Sequence, residues 1–493
     1  MKAAILKKYG TPEQFHFAEL DVPVIKEGEI LVRNKASSVN PVDILVRQGK
    51  LKLLTGISSG QVIGSDFSGV VVASKSARFK EGDEVFGVLN ATKGGAYAEL
   101  LQANGQHAAL KPSTLSHTEA AALPMVALTA WQGLVKDGKI QGGDKVLILG
   151  CTGGVGSVAV QIAKAFEAKV SGTCSKEHME FAKSLGCDRI LDYEKEKVPS
   201  DEKFDLIFDA SGFFSISDYK DNLTSDAMFV STRGGTDDAS GIVKAAKGAI
   251  FDKRMRIVVE QPNSADLDKI RELVDSGQLK PVVAQTFLFE NVAEAHHYME
   301  KESVVGKVVI EIPDVGLTPK DQQAIQRIKT TKEPNYTREL VATGFIAGLR
   351  SMSAPVIARD MILNTTGGQL QSSRLRFLQS PAVSTVLKLL ATTEMVADKL
   401  PSVPNRIKPL SLVVRAASGA TSSAAVAKKT RHSTVAAAIV GGLAAIAATY
   451  AMYYVRTGVA KKTKLPDVVL GMMEDALVLA VGAALAQRTK GTT

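Results

Sequence analysis

A chain of 493 residues is too long for a single hydrophobic core, and 45% hydrophobic with 23% charged residues keeps it within the globular range. The formal net charge of +9 is unevenly placed: residues 314–493 hold 23 Lys and Arg against 10 Asp and Glu, while residues 1–313 hold 37 against 41. A basic, apolar tail fits an anionic lipid surface, and with no recognition motif and few aromatics in its basic segments, nucleic acid is excluded as the expected partner.

The first stretch, to about Pro124, is rich in short β segments such as Glu29–Val32, Gly69–Ala73 and Asp83–Leu89, separated by glycine turns. It reads as a β-barrel-like domain. From Ala127 to Val283 the pattern is strand–helix–strand: Lys145–Leu149, a helix over Val155–Phe166, then Lys169–Thr173 and Phe204–Asp209. This alternation predicts a parallel sheet covered by helices. Strand character returns at Phe287–Phe289 and Lys307–Ile312 and adds back to the first domain. Pro313 to Asn335 reads as a polar linker with room for a short helix. Thr434–Val455 is long and apolar enough to cross a bilayer, as is Val468–Gln487 despite Glu474 and Asp475. Leu340–Met361 and Val383–Val396 are apolar with isolated charges, so two to four spans are expected.

Three cysteines, Cys151, Cys174 and Cys187, have no metal-ligand spacing and are odd in number for a disulfide framework. They point to a reducing compartment, cytosol or the matrix or stroma side of an organelle. The N-terminus reads at once as a strand and lacks the apolar core of a signal peptide, so no targeting segment is expected.

The sharpest motif is Val146-Leu-Ile-Leu-Gly150-Cys-Thr-Gly153-Gly154-Val155-Gly156, a buried strand running through a glycine turn into a helix. Such a turn lets backbone approach a pyrophosphate, and the helix N-terminus presents free N–H groups to it. The next strand ends Thr173-Cys174-Ser175-Lys176. NAD sites place a carboxylate there; a hydroxyl and a cation suit a 2′-phosphate, so NADPH is the expected cofactor.

Further motifs run in order along residues 1–312: Ser38-Val-Asn40-Pro41-Val-Asp43, Gly64-Ser-Asp66-Phe-Ser-Gly69, Gly82-Asp83-Glu-Val-Phe-Gly87, Gly94-Gly95-Ala-Tyr97, Leu128-Thr129-Ala130-Trp131 and Gly306-Lys307-Val-Val. With the glycine turn they resemble the medium-chain dehydrogenase/reductase family, in its zinc-free quinone oxidoreductase (zeta-crystallin-like) branch. The resemblance implies an α/β fold. A GroES-like β-barrel catalytic domain is expected over 1–124 with 285–312. A Rossmann domain with a doubly wound parallel sheet is expected over 125–284. A linker (313–336) and an all-α transmembrane domain (337–493) follow.

Zinc enzymes of the superfamily carry Cys, His and Glu where this chain has Asn40, Ser65 and Asp66, so no metal is expected. The enoyl-thioester branch places a Tyr after a Gln-Gly pair. Here Gln48-Gly49-Lys50-Leu51 has none, which makes thioester reduction the second choice behind quinone or enone reduction. The resemblance also implies the site: Asn40 orienting the acceptor carbonyl, Asp43 bracing its loop and Thr129 bonding the nicotinamide, with Ser211-Gly212 nearby. Gly153, Gly154 and Val155 cradle the pyrophosphate; Ser175, Lys176 and Tyr193 hold the 2′-phosphate. It allows a homo-oligomer. Asn40 and Asp43 read equally well as a structural turn before Pro41. His296 and His297 read as structural, since adjacent helical residues face apart.

Residues 337–487 resemble an uncharacterised family of small integral-membrane domains. The residues carrying this are Gly348, Arg350, Ser351, Pro355, Glu394, Asp398, Lys399, Pro401, Pro404, Arg406, Pro409, Arg415, Gly419, Tyr453, Arg456, Glu474 and Asp475. Glu394, Arg415, Glu474 and Asp475 are candidates for buried ion pairs, either holding a bundle together or lining a polar path. Ala416–Ala427 suits close helix packing. Basic residues flank Thr434–Val455 on both sides and leave its orientation open. The expected function is a reductase tethered to a membrane; a catalytically silent NADPH sensor regulating the membrane domain is the alternative.

Overall fold

The computed structural model describes residues 1–52, 60–232, 252–301, 303–314, 316–330, 337–364, 378, 380–397, 407–429, 433–463 and 465–490. The chain forms two compact units, Met1–Lys332 and Glu333–Thr493. Asp398, Lys399, Pro401, Pro404 and Arg406, singled out above, lie outside the described residues.

In the first unit, β1 (Lys2–Leu6) lies between β2 (Phe15–Glu19) and β4 (Gln61–Val62). The main barrel sheet is built on β3 (Glu29–Val39), which pairs with β5 (Asp66–Ser74) and β7 (Leu100–Asn104); β6 (Glu84–Val88) and β8 (Ala108–Leu110) extend it from β5. The chain then leaves to form a second sheet of β9 (Lys145–Leu149), β10 (Lys169–Cys174), β11 (Arg189–Asp192), β12 (Phe204–Asp209), β13 (Leu223–Ser231) and β14 (Met255–Ile257). Its order is β11-β10-β9-β12-β13-β14 and every pairing is parallel. This is the doubly wound order, with its switch point between β9 and β12. The apolar run Val146–Leu149 is wholly buried: Val146 and Ile148 pack with Val158 and Ile162 of the following helix, and Leu147 and Leu149 pack on the other face with Phe204, Ile207 and Ile216.

The chain returns through β15 (Val283–Leu288) and β16 (Lys307–Glu311), and β16 pairs antiparallel with β3. The barrel domain is therefore closed by residues nearly 300 positions from its start. The residues read as a linker contain a helix, Pro319–Thr330, that belongs to this unit. Its Asp321 accepts a hydrogen bond from the Met1 ammonium at 3.1 Å, and both groups are buried. Ile325 and Ile328 pack with Met1, Val22, Ile25 and Leu100. Burying two isoleucines stabilises by about 3 kcal/mol or more. A chain ending at Ile312 is therefore expected to unfold at lower urea than one ending at Lys332; equal midpoints would mean that the helix adds nothing to the fold.

The second unit is helical: Thr337–Leu349, Ser353–Asn364, Pro381–Ala397, Pro409–Lys429, Thr434–Thr463 and Asp467–Lys490. The last three contain stretches long and apolar enough to cross a membrane. Small residues let the helices meet at backbone distance. A Cβ on Gly344, Gly348 or Gly419 would run into the main chain at Gly441 or Ala445, as the alanine-rich and serine-rich stretch 416–427 leads one to expect. Val435, Ile439, Leu443 and Tyr454 point outward from Thr434–Thr463.

Candidate active site

The glycine turn lies at the switch point. Gly150 takes a left-handed φ of 75° at the end of β9, and Gly153 is the N-cap of the helix Gly154–Ala165. The turn is tied to β10: the Gly150 N–H donates to Thr173 Oγ1 at 3.1 Å and the Cys151 N–H to the Thr173 carbonyl at 3.0 Å. The first N–H groups of the helix have no partner within it and face anything held against the turn. A cavity of about 960 Å³ opens there, lined by Gly150, Gly153, Gly154, Val155, Ser175, Tyr193 and Ser211 among others. Three further expected cofactor residues do not line it. Gly156 lies beneath the turn, with any Cβ driven into the Gly150 carbonyl. Lys176 is exposed beside Ser175. Gly212 has φ 73° and donates its N–H to Asp209 at 2.9 Å.

Asp209 went unremarked in the sequence, yet it builds the far wall. Wholly buried, it accepts from Ser211 Oγ (2.6 Å), the Gly212 and Phe214 N–H groups and Ser231 Oγ (2.8 Å). An Asp closing a buried apolar strand was the available signal. Thr152, His178, Lys197, Phe213 and Tyr219 also line the cavity. Lys197 sits in a loop with no pattern to announce it.

On the barrel side, Asn40 caps the helix Pro41–Arg47 and Asp43 closes the capping box. Asp43 accepts from the Asn40 N–H and from Ser65 Oγ, both at 2.9 Å. Burial pushes its carboxyl up to about 7. Asn40 is held by its neighbours. It is wholly buried, its Nδ2 donates to Asp66 at 2.9 Å, and its Oδ1 accepts from Lys307 Nζ at 2.5 Å. Its Oδ1 and one of the two Nδ2 N–H groups are taken, and the second N–H is left. Asn40 belongs to a buried network in which Asp66 also accepts from Ser38 Oγ and the Met125 N–H, with Lys307 Nζ 3.6 Å away. Lys307 follows Gly306, which bridges to Gly153 of the cofactor turn, so the network reaches the glycine turn from the barrel. Thr129 is nearly buried and donates to the Met125 carbonyl, which leaves its oxygen lone pairs available.

The zinc-ligand positions do not suit a metal. An amide, a hydroxyl and a carboxylate already holding several hydrogen bonds stand there, and no group of three metal-ligating side chains occurs among the described residues. His296 is buried between Tyr97 Oη (3.1 Å) and Arg47 Nε (3.4 Å), and burial holds its imidazole well below the usual range. His297 instead pairs with Glu13 on the surface. The three cysteines are free thiols, all buried.

Family models match in two places here: an alcohol dehydrogenase GroES-like domain over residues 26–113 and a zinc-binding dehydrogenase domain over 185–310. The human NAD(P)H oxidoreductase RTN4IP1, mitochondrial, is 34% identical over 356 residues, covering 63% of this chain and 89% of that protein. The chain belongs to the medium-chain dehydrogenase/reductase family. Its branch is the zinc-free one, despite the name of the second model, because the ligand positions hold Asn40, Ser65 and Asp66. The NADPH-dependent alkenal/one oxidoreductase, chloroplastic, of Arabidopsis thaliana is 36% identical, covering 63% of this chain and 79% of that one. The Escherichia coli quinone oxidoreductase, solved as a complex with NADPH, matches at a TM-score of 0.54 and 25% identity, over 63% of this chain and all of that one. Residues 340–487 match a domain of unknown function, DUF4126.

Proposed function

We propose that this chain is an NADPH-dependent reductase of quinones and α,β-unsaturated carbonyls, held at a membrane by its helical unit. The observation that carries the cofactor choice is the end of β10. Ser175, Tyr193 and Lys197 line the cavity beyond it and Lys176 stands beside it, while β10 carries no carboxylate of the kind that holds a ribose 2′-OH. Glu196, on the loop beyond β11, also lines the cavity. Gly153, Gly154 and Val155 cradle the pyrophosphate, Ser211 and Gly212 shape the wall toward the nicotinamide, and Thr129 accepts from its amide. When bound, a reduced nicotinamide supplies hydride. The protein's part is to bind, orient and keep water out, which suits acceptors already polarised and needing no metal.

The names of the relatives support the acceptor class, and the three apolar helices support the tether. The mitochondrial and chloroplastic relatives fit an organelle setting with reduced thiols.

The test is NADPH and NADH oxidation by the full chain in detergent against 2-alkenals and 1,2- and 1,4-quinones. NADPH is expected to be preferred. The double substitution Lys176→Ala, Lys197→Ala is expected to raise KM for NADPH about tenfold or more and leave that for NADH unchanged, since two charge contacts are worth on the order of 1.4 kcal/mol or above. Equal use of both cofactors by the wild type would sink the 2′-phosphate reading. Tight NADPH binding with no turnover on any acceptor would favour a sensor.

A further inference from the structure

Hydride addition to an enone leaves an enolate that needs a proton. On the barrel side, Asp43 is held by the Asn40 N–H and Ser65 Oγ, Thr129 already donates within its helix, and Lys307 is held by Val39, Asn40 and Asp66. One carboxyl stands apart from these networks. Glu260 follows β14, at the carboxyl edge of the parallel sheet where β9, β10 and β12 also end on the cavity. Ligands of doubly wound sheets bind along that edge.

The position of Glu260 is set from both sides. Its neighbour Gln261 is clamped by Gln132, whose amide accepts from the Gln261 N–H at 2.9 Å and donates to its carbonyl at 2.8 Å. Gln132 follows the helix Pro124–Trp131 and Met125 lies in its first turn; Met125 holds Asp66 through its N–H. Met125, Thr129 and Gln132 are spaced to share one helix face, about 10 Å from first to last. Glu260 adjoins the clamped Gln261, near enough to Asp66 for the carboxylate to raise its proton affinity. One of its carboxyl oxygens is buried with no hydrogen-bond partner among the described residues. A buried polar atom left this way is uncommon and marks a place where a ligand completes the site.

We infer that Glu260 is the proton donor of this reductase, standing across the Thr129 face from the Asp66–Lys307 network and delivering its proton to the α-carbon of the acceptor. This rests on the reductase reading above. The hydride, with its electron pair, forms the new C–H bond at the β-carbon. The C=C π electrons move to give the enolate, the Glu260 O–H bond breaks, and its proton forms the C–H bond at the α-carbon. The Glu260 carboxylate then takes a proton from water, so each acceptor consumes one NADPH and one proton. Asp66 is the charged group that acts on Glu260, and it is itself paired with Lys307; Asp266, on the helix that follows, is tied to Gln132 and Lys136. Burial first, then the charge of Asp66, pushes the Glu260 carboxyl up to about 8, which keeps it protonated at neutral pH.

The experiment compares the full wild-type chain with Glu260→Gln and Glu260→Asp in detergent, using an α-methyl enone and NADPH in D₂O. The wild type is expected to place deuterium on one face of the α-carbon. Glu260→Gln is expected to lower kcat about 100-fold, to leave KM for NADPH within twofold, and to scramble the α-face as water takes over protonation. Glu260→Asp is expected to restore single-face labelling in part. Without any cofactor, the infrared difference between wild type and Glu260→Gln at neutral pH should show one protonated carboxyl lost. Wild-type kcat and one-face labelling in Glu260→Gln would overturn the assignment, as would the absence of that carboxyl band. A wild type that binds NADPH but oxidises it with none of the acceptors would overturn the reductase reading and this inference together.

Discussion

Gly156→Ala is expected to abolish measurable NADPH binding, with affinity down at least about 30-fold, and to lower stability by about 1–3 kcal/mol, the range for overpacking a tight core. A Cβ at this position would collide with the Gly150 carbonyl and stand 2.8 Å from Cys151 Cα. Both neighbours are main chain and pinned, Gly150 by Thr173 Oγ1 and Cys151 by the Thr173 carbonyl. Neither can yield without opening the turn that presents N–H groups to the pyrophosphate. Gly153→Ala is the control: a Cβ there meets nothing nearer than the Gly150 carbonyl at 3.7 Å. Its melting temperature should match wild type, and any binding loss would come from crowding the ligand. Fluorescence titration with NADPH and thermal melts of both variants decide the matter. Gly156→Ala binding within threefold of wild type would show that the turn is not the cofactor cradle.

The glycine turn was legible because everything it needs is contiguous: an apolar strand, the glycines and a helical run within 20 residues. Phe204–Asp209 is a strand with the bounds read from its apolar run. The edge strand β15 begins at Val283, before the segment read from sequence, because polar Gln285 and Thr286 hide it. Thr434–Thr463 continues eight residues past the apolar stretch, since hydropathy finds the lipid-length segment and not the helix end. Asn40 shows the deeper limit. Its motif was visible, but its role is set by Asp66 and Lys307, 26 and 267 positions away. The helix Pro319–Thr330 is fixed by the chain's own N-terminal ammonium, a partner that no periodicity announces. Glu260 lay hidden for the same reason: only the fold brings it toward Asp66.

Arg350→Met is expected to cost the helical unit about 3–5 kcal/mol, because it removes a buried cation that two buried carboxylates share. Arg350 is wholly buried; Nε and Nη2 each lie 2.7 Å from Asp475 Oδ1, and Nη1 lies 3.6 Å from Glu474, which Arg456 approaches at 3.5 Å. The sequence had left open whether such charges line a polar path or hold a bundle. The hydrogen bonds explain them as helix-end chemistry. The break at Arg350–Met352 exposes carbonyls at the end of Thr337–Leu349 and N–H groups at the start of Ser353–Asn364, and apolar surroundings cannot solvate either. Arg415 takes the Gly348 and Leu349 carbonyls at 2.6 and 2.8 Å, and Glu394 takes the Ser351 and Met352 N–H groups at 2.9 and 2.8 Å. Among the described residues, Arg350, Arg415 and Arg456 thus stand with Glu394, Glu474 and Asp475 around one chain break. The double substitution Arg350→Met, Asp475→Leu should therefore recover more than half of the loss of the single one, measured as unfolding in a denaturing-detergent titration. A mild single variant with a purely additive double would mean that the two charges do not hold each other, and the polar-path reading would regain its place.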